Sequence, residues 1–119
     1  MTTSTHDLLT QSCQPQVNAL DDSAVQHYLA LVPGWVLEQA RLSKTFPFQD
    51  FHETLAFVSA IAYVIHAEDH HPELTVTYNR CVVRFGTHSV NQGRGGLSVN
   101  DFICAAKVDA IFHQTFSRP

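Results

Sequence analysis

Residues 50–78 read DFHETLAFVSAIAYVIHAEDHHPELTVTY, and in this stretch a long apolar helical pattern is followed directly by an alternating one. Asp50 and Glu53 have the spacing of a capping box, so a helix is predicted to begin there. Apolar side chains then recur at helical spacing over about four turns. Pro72 disfavours helical backbone at the residue before it, so the helix is predicted to end near His70. A helix this apolar is expected to be covered on more than one side, by the sheet and by a neighbouring subunit.

Two pairs of strand patterns lie on either side of this helix. The alternating segments are WVLE at 35–38, RLSKTF at 41–46, LTVTY at 74–78 and CVVRFGT at 81–87. Short polar links at 39–40 and 79–80 join these segments in pairs, and Asn79 tolerates the left-handed backbone that tight turns need. Each pair is therefore predicted to form a β-hairpin.

Two further helices are predicted outside the hairpins. One begins at the N-cap Asp21 and ends at Pro33-Gly34. The other begins at Ser98, with Asp101 as its capping partner, and runs to about Phe116. The resulting order, α-β-β-α-β-β-α, indicates an α+β fold. In this fold a four-stranded antiparallel sheet of two hairpins carries three helices packed on one face.

The length of 119 residues is that of one domain. Residues 1–19 are rich in Thr, Ser and Gln and show no periodicity, so they are predicted to form a flexible N-terminal tail. The remainder, residues 20–119, is predicted to be a single domain.

The composition excludes several classes of protein. The formal net charge of −4 argues against nucleic acid as a partner. No apolar run approaches the roughly 20 residues of a membrane span. The first residues lack the basic and apolar regions of a secretory signal, so a cytoplasmic location is expected. Three widely spaced cysteines argue against a disulfide framework and are expected to be reduced thiols.

Three histidines are predicted to converge at one end of the sheet. His70 and His71 precede the second hairpin and His88 follows it, and the two ends of an antiparallel hairpin are neighbours. Imidazole titrates near neutral pH, so two such groups in one cleft can act as acid and base in the same turnover. Neither Ser89 nor Cys81 lies in a recognised nucleophile elbow. The pattern therefore favours non-covalent proton transfer.

Two other interpretations of these histidines stay open from the residues alone. His70 and His71 suit a polar helix end, because the carbonyls there favour a positive charge. His66 and His70 are four residues apart, as two zinc ligands on one helix face would be, with His88 as a third. HAEDH differs from HExxH, however, and adjacent histidines point in different directions, so no metal ligand is predicted.

The chain also resembles a known family. The residues that carry the resemblance are His70-His71-Pro72, Tyr78, Thr87-His88, Gly95-Gly96-Leu97 and Asp101, with support from Gly34-Trp35 and Phe46-x-Phe48-x-Asp50-Phe51. Together they are similar to the signature of the pterin-4a-carbinolamine dehydratases, over residues 20–112. The fold of that family is similar to the one predicted above.

The resemblance implies an activity. Members remove water from 4a-hydroxytetrahydropterin to give quinonoid dihydropterin, which recycles the tetrahydropterin cofactor spent by aromatic amino acid hydroxylases. The resemblance implies a pterin substrate, no cofactor or metal held by the protein itself, a homodimer or homotetramer, and functional coupling to such a hydroxylase.

The resemblance also implies site residues by position. The catalytic residues would be His70, His71 and His88, with His70 and His88 as acid and base and His71 mainly holding the pterin. The remaining substrate-binding residues would be Pro72, Thr87, Ser89, Val90, Trp35 and Asp101. Of these, Asp101 is expected to orient His88.

Two departures and one alternative accompany the resemblance. His66 stands where many members have Glu four residues before the first histidine, and the loop over 88–95 is longer than in many members. Some members also help a homeodomain transcription factor to dimerise through the helical surface. A non-catalytic binding or regulatory module on the same fold is therefore the alternative function, although the intact histidines favour catalysis.

Overall fold

A four-stranded antiparallel sheet forms one layer of the computed structural model, which describes residues 4–116. Its strands are β1 (Val36–Glu38), β2 (Arg41–Pro47), β3 (Glu73–Val76) and β4 (Arg80–Phe85). They lie in the order β1-β2-β4-β3, and every neighbouring pair is antiparallel. Both predicted hairpins are therefore present. They join through β2 and β4, where Leu42 lies opposite Phe85 and Phe46 lies opposite Cys81.

The first hairpin turns through Gln39 and Ala40, which both have left-handed backbone angles, with φ of 52° and 61°. Two consecutive residues with positive φ are the mark of a type I′ turn, whose twist matches that of the flanking strands. Gly or Asn usually fills these positions, which is why the sequence indicates this turn only weakly.

Four α-helices accompany the sheet in the described part of the chain. They are α1 (Thr5–Thr10), α2 (Asp22–Leu29), α3 (Phe51–Glu68) and α4 (Val99–Ile111), and a π-helical turn, Phe112–Phe116, continues α4. The side chain of Asp21 accepts a hydrogen bond from Ala24 N–H, and that of Asp50 accepts one from Glu53 N–H, at the predicted starts of α2 and α3. The predicted α+β fold is confirmed, with α1 as an additional helix. Within residues 4–116, no helix is both long and apolar enough to cross a bilayer.

The core lies between the sheet and helices α3 and α4. Along β4 the alternate residues Cys81, Val83 and Phe85 are fully buried, whereas the residues between them are not. Phe46 of β2 packs against Phe57 of α3, with ring centroids 4.9 Å apart. Alternation of this kind results when only one face of an antiparallel sheet packs against other elements.

The N-terminal segment packs onto the rest of the fold, whereas the sequence predicts a flexible tail over residues 1–19. Leu8 of α1 is fully buried in the core, and the Thr5 hydroxyl donates a hydrogen bond to Leu31 O at 2.6 Å. A six-residue helix with one buried side chain has no periodic pattern, so only the Ser4–Asp7 capping pair at its start marks it in the sequence. Residues 1–3 of the predicted tail lie outside the described part of the chain, and the assignment of the remainder to a single domain stays a prediction.

Glu68, the last residue of α3, ties the N-terminal segment to two helices. Its carboxylate accepts hydrogen bonds from Cys13 N–H at 2.7 Å and from Lys107 Nζ at 2.8 Å. Burial by itself would raise the pKa of this carboxyl. The two hydrogen bonds and the charge of Lys107 outweigh burial, so the pKa lies below its ordinary value of 4.5. The ionised form of Glu68 therefore stabilises the fold.

Replacement of Leu8 tests whether α1 belongs to the cooperative fold. We expect Leu8→Ala to lower the free energy of unfolding by about 2–5 kcal/mol, because it removes a fully buried side chain and leaves a cavity. The neighbouring Leu9 is partly exposed, so Leu9→Ala is the matched control and should cost less, about 0.5–1 kcal/mol. Urea unfolding followed by circular dichroism measures both. Equal, small effects of the two substitutions would contradict the packing of α1.

Glu68→Gln should destabilise the protein in a pH-dependent way. Because the pKa of Glu68 is lowered in the folded chain, its ionisation contributes stability above about pH 4.5 that is lost as the pH falls further. At neutral pH the variant should unfold with a free energy about 1–3 kcal/mol below that of the wild type. This difference should shrink as the pH falls below about 4.5 and the carboxylate becomes protonated.

The pH series needs a control in which an exposed ion pair is removed. Glu38→Gln removes a partner of Arg84 at the surface, where ion pairs contribute little, so it should differ little from the wild type at any pH. Urea unfolding at each pH provides the comparison. A Glu68→Gln difference that does not change with pH would contradict the role of the ionised carboxylate.

Candidate active site

An open cleft lies at the end of the sheet where α3 leads into β3 and where β4 ends. It has a volume of about 320 Å³, which is near the lower limit for small-molecule sites. Its lining includes His70, His71, Thr87, His88 and Ser89. The three histidines that were predicted to converge therefore line one cavity.

The chain turns into this cleft at the end of α3. Asp69 has a left-handed backbone, with φ of 50°, and its N–H bonds back to the last turn of the helix. The N–H of His70 then donates to Ile65 O at 3.4 Å. The helix thus ends close to the predicted position, but the left-handed Asp69, rather than Pro72, is the residue that terminates it. As a result, His70 and His71 leave the helix axis at the mouth of the cleft.

His70 is held by a buried carboxylate. Its Nε2 lies 2.6 Å from Oδ1 of Asp101, which is fully buried in the first turn of α4. The other carboxylate oxygen, Oδ2, accepts hydrogen bonds from the Thr87 hydroxyl and from Ser98 N–H, both at 2.9 Å. A carboxylate is an acceptor at both oxygens, so the imidazole N–H is the donor to Oδ1. We therefore assign the proton of His70 to Nε2.

This assignment leaves Nδ1 of His70 as a hydrogen-bond acceptor. Nδ1 has no hydrogen-bond partner within residues 4–116, and no buried side-chain nitrogen or oxygen there lacks a partner, so Nδ1 is accessible on a residue that lines the cleft. The ring also stacks on Phe85, with centroids 5.9 Å apart and an angle of 7° between the planes. His70 thus presents one acceptor nitrogen in a defined direction.

A short β-bridge after β4 places Thr87 and His88. The backbones of Thr87 and Gly96 exchange hydrogen bonds of 2.8 and 3.2 Å. A Cβ atom on Gly96 would come within 2.6 Å of Nδ2 of Asn91, and Gly95 has a left-handed φ of 89°. The paired glycines therefore allow the loop after His88 to fold back against the end of β4.

His71 and His88 are the exposed members of the site. The side chain of His71 is 69% exposed, and its Nε2 lies 3.9 Å from Oδ1 of Asp69. His88 is exposed as well. Both also line an adjoining cavity, which Pro72 and Arg84 border. The site thus combines one largely buried, oriented imidazole with two imidazoles that face solvent.

Ser89 lines the cleft, but four other residues implied by the resemblance do not: Pro72, Asp101, Val90 and Trp35. Val90 is buried. Trp35 is buried in the core, where its Nε1–H donates to Oδ2 of Asp109 at 2.9 Å and its ring contacts that of Phe85. The indole N–H is therefore already bound to Asp109, and Trp35 does not line the cleft.

Asp101 binds His70, whereas the resemblance led us to expect that it would orient His88. Its predicted capping role in α4 is present, since Ser98 N–H binds the same carboxylate. Spacing along the chain shows that two imidazoles lie near one end of the sheet. It does not show which of them turns toward a carboxylate on another element.

Four residues that line the cleft have no signal in the sequence. They are Gln14, Pro15, Val17 and Asn100. The first three lie in the predicted tail, and the fourth lies among polar residues at the start of α4. Because contacts between residues distant in sequence bring the N-terminal segment over the cleft, no local pattern could have identified them.

The arrangement is suited to proton transfer. Burial raises the pKa of Cys81 to about 11, and a hydrogen bond with Cys13 together with burial raises the pKa of Cys104, so both are poor nucleophiles near neutral pH. His70 can accept a proton at Nδ1, and the exposed imidazoles can donate one. Among the described residues, no group of three or more His, Cys, Asp or Glu is arranged to hold a metal ion.

The sequence of the chain is similar to those of a known protein family and of several named bacterial proteins. Residues 18–111 match the family described as pterin 4 alpha carbinolamine dehydratase. A Bdellovibrio bacteriovorus protein, provisionally named as a pterin-4-alpha-carbinolamine dehydratase, is 51% identical over 111 residues, which cover 93% of this chain and 92% of the relative. A Chromobacterium violaceum protein with the same provisional name is 46% identical over 110 residues, which cover 91% and 98% respectively.

A solved structure agrees with these sequence matches. The crystal structure of a transcriptional coactivator/pterin dehydratase from Brucella melitensis is similar to this chain with a TM-score of 0.71 and 31% identity. The similarity covers 79% of this chain and 98% of the Brucella chain. The family match spans most of the chain, and it confirms the resemblance that the histidine and glycine motifs indicate. The chain therefore belongs to the pterin-4-alpha-carbinolamine dehydratase family.

Proposed function

We propose that this chain removes water from a 4a-hydroxytetrahydropterin and releases a quinonoid dihydropterin, and so recycles a tetrahydropterin cofactor. The observation that carries the proposal is the cleft in which His70, bound to Asp101, lies together with His71 and His88. Family membership supports the substrate class. The proposed reaction consists of proton transfers and the loss of water, which the side chains of the chain can assist without a bound cofactor.

The reaction is an elimination across one carbon–nitrogen bond. The C4a–O bond breaks, and the hydroxyl group leaves as water after an acid protonates it. The neighbouring ring nitrogen supplies the electron pair of the new C=N bond, and its proton passes to a base. Because hydroxide is a poor leaving group, an acid and a base on the protein both accelerate the step.

His70 is the proposed base, because it lines the cleft and its Nδ1 is an accessible acceptor. The imidazolium that forms when it accepts a proton lies against the carboxylate of Asp101, which stabilises the charge without rearrangement. His88 is the proposed acid, and its exposure allows it to recover a proton from solvent. His71 is proposed to hold the pterin, with Ser89 and Pro72 at the rim.

Self-association is proposed from the outer face of α3. Phe51 and Leu55 are exposed there, and Tyr63 is 76% exposed. Large apolar side chains on one helix support a homodimer or homotetramer in which these surfaces are covered. A cytoplasmic location and functional coupling to an aromatic amino acid hydroxylase are proposed from family membership.

The alternative function is a binding or regulatory role without catalysis. The Brucella relative is described as a transcriptional coactivator as well as a pterin dehydratase, and that description motivates the alternative. A wild-type protein that does not accelerate the decay of 4a-hydroxytetrahydropterin would favour it.

Substitution of the two proposed proton-transfer residues tests the mechanism. We expect His70→Ala and His88→Ala each to lower kcat by at least about 10²-fold, as the loss of a general acid or base does. Decay of 4a-hydroxytetrahydropterin, followed by absorbance, measures the rate. His52→Ala is the control, since this histidine is exposed in the first turn of α3, at the opposite end from the cleft, and it should keep the wild-type rate. A wild-type rate in either cleft variant would contradict its assigned role.

Asp101→Asn tests the orientation of His70. An amide can present a donor to the imidazole and so favour the wrong tautomer, and we expect kcat to fall by roughly 10²–10⁴-fold while the chain stays folded. Thr87→Val is the matched control, because it removes a hydrogen bond to the same carboxylate without touching His70, and it should lose less than about tenfold. The pH profile of kcat and a thermal unfolding curve separate a catalytic effect from unfolding. Equal losses in the two variants would contradict the orienting role.

A further inference from the structure

Residues 11–17, here called the N-terminal strap, form part of the cleft wall. Gln14, Pro15 and Val17 line the cavity that contains the three histidines. None of these side chains titrates, so none of them takes part in the proton transfers described above. The amide of Gln14 can hydrogen-bond to the polar edge of a heterocycle, whereas Pro15 and Val17 offer apolar contact to a flat ring.

The strap is attached to α4 by one buried side chain. Asn100 Oδ1 accepts a hydrogen bond from Gln14 N–H at 3.0 Å, and Asn100 Nδ2 donates to Gln14 O at 2.9 Å. The amide of Asn100 thus pairs with both backbone groups of one residue, as a neighbouring strand would. Because Asn100 is buried and both of its polar atoms are used, its side chain holds the strap rather than the substrate.

Cys13 provides further attachment points beside this pair. Its N–H donates to Oε1 of Glu68 at 2.7 Å, and its Sγ lies 3.4 Å from Sγ of Cys104. Glu68 ends α3, two residues before His70, and Asn100 directly precedes Asp101. The strap is therefore anchored on the same two helix ends that hold the oriented imidazole and its carboxylate.

We propose that the strap is a substrate-positioning wall of this cleft and that Asn100 is the positioning residue that keeps it there. The inference rests on the proposed function, because the ligand it concerns is the planar, polar-edged bicyclic substrate of that reaction. Release of the strap removes contacts with the bound heterocycle and leaves the proton-transfer residues in place. It therefore weakens binding more than it slows the chemical step.

The test compares variants that break the strap attachment from either side. Asn100→Ala removes both hydrogen bonds from the α4 side. Gln14→Pro removes the N–H donor together with the side-chain amide from the strap side, and Gln14→Ala, which keeps the N–H, shows the effect of losing the amide alone. Gln14 is exposed, so Gln14→Pro leaves the core unchanged and keeps the test valid if Asn100→Ala does not fold. Thr5→Val is the control, because it breaks a hydrogen bond from the same N-terminal segment to Leu31, away from the cleft.

The expected result is a rise in KM for 4a-hydroxytetrahydropterin of about fivefold or more in both strap variants, with kcat within about twofold of the wild type. The Kd of 7,8-dihydropterin, a non-reactive probe, should rise by the same factor. The double variant should be no worse than the poorer single variant, since both changes release the same strap. Thr5→Val should leave KM and Kd unchanged.

Two other outcomes overturn the proposal. A folded Gln14→Pro protein with unchanged Kd for 7,8-dihydropterin shows that the strap is not a binding wall. A fall in kcat at unchanged KM shows that it acts on the chemical step instead. Absence of turnover in the wild type would count against the proposed function and not against the strap, because the Kd comparison does not depend on turnover.

Discussion

The site depends on one buried charge, the carboxylate of Asp101. It caps α4 through Ser98 N–H, binds the Thr87 hydroxyl after β4, and orients His70 after α3. A charge out of contact with water is tolerated only where donors surround it, so each of these contacts also stabilises the fold. The group that orients the proposed base is therefore the group that joins three elements of the fold.

Sequence patterns predict the features of this fold that repeat or that follow from topology. The helical period of α3 and the alternation along the strands mark the elements, and the acidic caps mark where two helices begin. The convergence of His70, His71 and His88 could be predicted because an antiparallel hairpin returns to its starting point, whatever its side chains are. The family signature then adds an activity that periodicity and spacing alone do not carry.

Contacts that depend on the direction of one side chain could not be predicted. Asp101 could have reached either of two nearby imidazoles, and only the packed structure shows that it binds His70. Trp35 belongs to the family motif, yet its N–H is bound to Asp109 in the core. The strap over the cleft depends on hydrogen bonds from Asn100 and Glu68, which are single contacts without any period.

The cleft is built from parts of the chain that are distant in sequence, since Gln14 and Asn100 lie 86 residues apart. Contacts between residues that are distant in sequence form late in folding, because the entropy lost in closing a loop grows with the length of the loop. During synthesis from the N-terminus the three histidines emerge before Asp101, so a nascent chain has the imidazoles before it has an oriented site. A ligand seated in the finished cleft would touch the strap and the ends of α3, β4 and α4 at once. Its binding would therefore stabilise the complete fold, by mass action, rather than any one hairpin.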